Sequence, residues 1–68
     1  MGRKKGLGVM VKQLREAKGL TQAELAEKAE ISREYVALME SGVRANPTIG
    51  TLKRLAKVLG VPVGDLVE

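Results

Sequence analysis

Apolar residues at the start of the chain fall at Leu7, Met10, Val11, Leu14 and Ala17, three and four apart, which places them on one face of an α-helix. Gly19 is set to end that helix, because glycine readily takes the left-handed conformation that follows a last turn. Thr21 and Glu24 then form a T-x-x-E capping box, with Leu20 and Leu25 as a hydrophobic staple across the same start. This predicts a second helix over Gln22–Ala29 whose inner face is Leu25, Ala26 and Ala29. Ser32 offers a new N-cap, Ile31 and Val36 a second staple, and Gly42 a stop, so a third helix is expected over Arg33–Ser41. Thr48 caps a fourth, with Ile49, Leu52, Leu55, Ala56 and Leu59 inward, Lys53, Arg54 and Lys57 outside the stripe, and Gly60 at its end. Pro62 suits the first turn of a short fifth helix over Pro62–Val67, where its missing N–H is not needed. No segment carries a strand signal and no internal repeat is present. The expected fold is all-α: a compact five-helix domain over residues 7–68, preceded by a flexible basic arm over 1–6.

The connection between the second and third helices is tight enough for a helix-turn-helix arrangement. At about 100° per residue, Ser32, Val36 and Met39 share the side of helix three that packs inward. The opposite side carries Arg33, Glu34, Ala37, Leu38 and Ser41. An ordinary solvent face is rich in Lys and Glu and avoids Leu. This mixture instead fits base edges: Arg donates twice to guanine, Glu accepts from cytosine, and Ala or Leu touches a thymine methyl.

Composition narrows the classes. The 68 residues include no cysteine and no histidine, so disulfides and the common zinc sites are excluded and no cofactor is expected. The core must be aliphatic. No apolar run is long enough for a membrane span, and no apolar h-region follows the basic N-terminus, so a cytoplasmic protein is expected. The net charge is +4, which points to a polyanionic partner. Arg3, Lys4 and Lys5 supply three of those charges and leave +1 for the rest. The arm reads either as a solubilising tail or as a segment touching phosphates or the minor groove.

With these residues in hand, the sequence resembles the phage repressor and Cro-like (Xre-type) helix-turn-helix family. The resemblance rests on L-T-Q-A-E-L-A-E-K-A at 20–29, I-S-R-E-Y-V-A-L-M-E-S-G at 31–42 and N-P-T-I-G-T-L-K-R-L-A-K-V-L-G-V at 46–61, and covers about residues 9–67. It implies a repressor-like domain whose third helix enters the major groove of double-stranded DNA. It implies a phosphate contact for Gln22, base reading at Ser32, Arg33, Glu34, Ala37 and Leu38, and a backbone-tracking loop at Val43 and Arg44. It also implies an ion pair between Arg15 and Glu40 that ties helix one to helix three, a role for Arg15 set against a direct DNA contact. Tyr35 either reaches a phosphate or packs beside the turn. One departure stands out: the family usually has Gly in the turn where this chain has Glu30, which costs about 1 kcal/mol in a left-handed conformation.

Relatives of this kind usually bind palindromic operators as homodimers. The apolar residues Val61, Val63, Leu66 and Val67 read either as dimer surface or as the seal of the core. The expected function is a sequence-specific transcriptional regulator, most simply a repressor. The rival is a protein-interaction module on the same fold, of the antitoxin or anti-repressor type, since fold does not fix function. An enzyme is not expected: no His or Cys serves as base or nucleophile, Glu24, Glu27 and Glu30 read as capping and solvation, and no small-molecule substrate is implied.

Overall fold

A computed structural model describes residues 6–42 and 47–66. Within them the chain forms four α-helices, α1 (Leu7–Ala17), α2 (Gln22–Ala29), α3 (Arg33–Ser41) and α4 (Ile49–Leu59), followed by a single 3-10 turn at Val63–Asp65. Arm residues 1–5, the loop residues Val43 and Arg44, and Val67 lie outside the described residues.

The polar starts act as their sequence implies. Thr21 N donates to Glu24 Oε1 at 2.8 Å and Glu24 N to Thr21 Oγ1 at 3.0 Å, closing the capping box. Ser32 Oγ accepts from Tyr35 N at 3.0 Å, and Thr48 Oγ1 from Thr51 N at 3.1 Å. Each cap satisfies a backbone donor that the helix itself leaves unpaired. Such caps typically contribute about 1 kcal/mol each.

α3 packs against both α1 and α2, while α4 closes the other side on α2 and the 3-10 turn. Val11, Leu25, Val36, Met39 and Leu55 are fully buried at the centre, with Ala26, Ala29, Leu52, Ala56, Leu59 and Leu66 around them. No ring sits in this core, so close helix approach replaces aromatic bulk. Gly8 shows how close: a Cβ there would run into the Met39 carbonyl on α3. The α2 C-terminus is held differently, with Arg54 Nε donating to Ala29 O at 2.9 Å.

Three expectations are corrected. The fifth helix is only a 3-10 turn, with Pro62 as its extended N-cap. Three residues with Gly64 in the middle are too few to offset the nucleation of an α-helix. Ile49 is not part of the core face: it is 61% exposed. The buried stripe of α4 runs through Thr51, Leu52, Leu55, Ala56 and Leu59, and at 100° per residue Ile49 lies about 90° from its centre. Ala17, at the end of α1, is likewise exposed.

Candidate nucleic-acid interface

The outer face of α3 is open. Arg33, Glu34 and Leu38 are exposed and Ala37 is half-buried, while Val36 and Met39 anchor the opposite side. Leu38 keeps 48% of its surface in solvent and gives this polar face an apolar contact point. Ser32 is exposed at the N-cap, its Oγ occupied as acceptor by Tyr35 N. Tyr35 is half-buried and packs against the core. Ser41 Oγ donates to Leu38 O at 2.8 Å, within the last turn of the helix.

Gln22 and Arg33 are each the first residue of their helices. Both therefore sit at the positive end of a helix dipole, where first-turn N–H groups have no intrahelical acceptor. That combination favours an anion near both side chains.

Gln22 is not free to wander, because its Nε2 donates to Glu40 Oε1 at 3.1 Å. An ionised carboxylate only accepts, so it fixes which end of the Gln22 amide faces inward. The second N–H on the same nitrogen is then available to an outside acceptor. Glu40 in turn receives two bonds from Arg15, Nε to Oε2 at 2.7 Å and Nη2 to Oε1 at 3.0 Å. Arg15 Nη1 donates to Leu20 O at 2.7 Å. The two charged side chains retain only 11% and 4% of their surface. One network thus joins α1, the α1–α2 turn, the start of α2 and the end of α3.

Burial pushes the Glu40 carboxyl up, but the hydrogen bonds from Arg15 and Gln22, with the charges of Arg15 and Lys12, outweigh it and hold Glu40 below its ordinary value. The bond to Glu40 raises the Arg15 guanidinium correspondingly.

The turn after α2 is the least ordinary backbone here. Glu30 lies at φ 62°, ψ 41°, the one non-glycine residue with positive φ among the described residues. Its N–H and that of Ile31 close the helix on Ala26 and Glu27 carbonyls. Of the four apolar C-terminal residues, Leu66 is buried in the core, and Val61 and Val63 pack half-buried against it. Leu66 is therefore spent on the core and has no surface to offer a partner.

Sequence reasoning missed two positioning residues. Gly8 carried a usable signal, since a glycine inside a helical pattern costs about 1 kcal/mol against alanine and hints at a packing reason. Arg54 carried none: its bond to Ala29 spans 25 residues. Among the described residues no cluster of His, Cys, Asp or Glu is placed to hold a metal, and no helix is long and apolar enough to cross a membrane.

Residues 11–66 match the helix-turn-helix family. The chain belongs to this family, in its Xre-type branch. Among its relatives is the immunity repressor protein of Bacillus phage phi105, 43% identical over 61 residues, which are 90% of this chain and 42% of the relative. The transcriptional regulator SinR of Bacillus subtilis is 37% identical over 91% of this chain and 56% of its own length. This chain thus spans about half the length of these two family members. A crystal structure of SinR in complex with DNA superposes with a TM-score of 0.85 at 37% identity, covering 91% of this chain and 98% of that one. The same fold also occurs within the hydroxypropylphosphonic acid epoxidase of S. wedmorenis, with a TM-score of 0.81 at 33% identity over 93% of this chain and 33% of the enzyme.

Proposed function

We propose that this chain binds double-stranded DNA as the reading domain of a transcriptional repressor, with α3 in the major groove. The observation that carries this is the exposed face of α3, Arg33, Glu34, Ala37 and Leu38, beside a Gln22 amide held at the start of α2. The likeness to the DNA-bound form of SinR supports the same reading. Gln22 and the first-turn N–H groups contact phosphates and set the register, whereas Arg33 and its neighbours read base edges. Ser32 and Tyr35 border that face, and the loop at Val43 and Arg44 follows the backbone. Two copies sit on palindromic half-sites about 34 Å apart, with Val61 and Val63 the part of the apolar C-terminus that faces the partner copy. The setting is cytoplasmic, and the domain performs no catalysis.

The rival is a surface for another protein, and Leu38 at 48% exposure is what favours it. Selection from a random duplex pool, followed by a salt titration of the selected and a scrambled duplex, separates the two. A palindromic site should emerge. Arg33→Ala should lose about 1–3 kcal/mol of discrimination at one base pair, while Gln22→Ala should weaken all sequences alike and leave the salt dependence unchanged, because its amide carries no charge and releases no counterion. Folding is followed by far-UV circular dichroism. No enriched sequence, with equal weak binding to both duplexes, would refute DNA reading and leave the protein-binding surface.

A further inference from the structure

Four of the eight basic side chains among the described residues line one open groove of about 770 Å³, and none of them is on α3. They are Lys18, Lys28, Arg54 and Lys57, with Glu30 the single acidic member. Leu20 and Val58 supply an apolar floor between them. The groove lies where α1, α2 and α4 end, and the DNA-reading face takes no part in it.

Part of this charge serves the fold. Arg54 is bonded to Ala29 O at 2.9 Å, and the Lys18 ammonium lies near Gly60, so close that a Cβ there would sit 3.5 Å from its Nζ. Both cations therefore face helix C-termini, whose partial negative charge they offset. Lys28 and Lys57 stand in the last turns of α2 and α4 and are exposed. With about half a charge per helix end, three C-termini and Glu30 do not neutralise four cations. An excess of positive charge remains over an apolar strip.

That geometry points to an acidic protein segment, and we infer that the groove docks one, with carboxylates on Lys28 and Lys57 and an apolar side chain on Leu20 and Val58. A phosphate-rich ligand fits less well. Phosphates favour helix N-termini and clustered backbone N–H groups, whereas the ends gathered here are C-termini. A peptide can bring carboxylates to the two exposed ammonium groups and an apolar side chain to Leu20 and Val58 at once, whereas a bare phosphate leaves the apolar strip uncovered. The groove shares no residue with the proposed DNA contacts, so both partners bind one domain together.

The test uses the full chain labelled with ¹⁵N, titrated with an alternating Glu–Leu peptide, with inorganic tripolyphosphate and with a short scrambled DNA duplex. The peptide should shift the amides of Lys18, Leu20, Lys28 and Val58 and leave those of Arg33, Glu34 and Leu38 in place. Lys28→Glu with Lys57→Glu should weaken the peptide about tenfold or more, and Lys53→Glu, on α4 but outside the groove, should not. Single Lys57→Gln, about threefold weaker, gives the same answer should the double variant fail to fold. Shifts scattered over all lysines, or equal affinity in wild type and Lys57→Gln, would overturn the docking groove. Tighter or equal groove binding by tripolyphosphate or duplex would overturn the acidic protein segment as its occupant.

Discussion

Replacing Glu40 by alanine should be the most damaging single change on the polar side of this domain. The carboxylate keeps 4% of its surface and answers three hydrogen bonds, two from Arg15 and one from Gln22. Its removal leaves an arginine whose side chain is only 11% exposed, with Leu20 O and a 3.9 Å approach to Glu16 as its remaining partners. Breaking a buried pair from one side costs about 3–5 kcal/mol. The surviving bond to Leu20 places Glu40→Ala at the lower end, about 3 kcal/mol. A 68-residue domain has a total stability of only about 3–10 kcal/mol. The melting temperature should accordingly fall by about 12–24 °C. Arg15→Met combined with Glu40→Leu should be milder than either truncation alone, because no charge is then stranded. Thermal and urea unfolding of Arg15→Met, Glu40→Leu and the pair, read by far-UV circular dichroism, closes a double-mutant cycle. Single variants that each cost less than about 1 kcal/mol and simply add in the pair would refute the reasoning. Water, and not the pairing, would then be carrying both charges.

Glu30→Gly should stabilise the domain by about 0.5–1 kcal/mol, since relief of the left-handed strain at φ 62° exceeds the added chain entropy; urea unfolding checks the sign. Gly8→Ala should destabilise by about 2 kcal/mol or more, because its Cβ meets a rigid backbone carbonyl on α3 and not a side chain that can turn away. Acid should unfold the protein through Glu40. Its folded value lies below the ordinary 4.5, so the stabilisation it supplies is complete above 4.5 and is lost as pH falls through the folded value. Melting temperatures from neutral pH down to strong acid should show that drop in wild type and a smaller one in Arg15→Met/Glu40→Leu.

Local chemistry explains why so much of this fold was readable. Thr21, Ser32 and Thr48 each act on backbone three residues away, a distance that sequence displays directly. The stops at Gly42 and Gly60 are equally local. What escaped depends on contacts between distant segments. The packing of α4 centres its buried stripe on the side that takes in Thr51, and this leaves Ile49 about 90° away in solvent. The bond from Arg54 to Ala29 and the meeting of Gly8 with Met39 have no counterpart in any short window. The outer residues of α3 were legible as a face, because their mixture departs from a solvated helix. The link from Gln22 to Glu40 was not, since it spans 18 residues.

The seating of Gly8 on the Met39 carbonyl has a consequence for how this domain can diversify. The gap between α1 and α3 is set by backbone against backbone, and the other anchors, Val36, Met39 and Glu40, all lie on the inner side of α3. None of them depends on what Arg33, Glu34 or Leu38 happens to be. The outward side chains can be rewritten one by one while the helix keeps its place and tilt. Such a domain separates its grammar from its vocabulary: one surface can take on new contacts by drift, without a compensating change in the core.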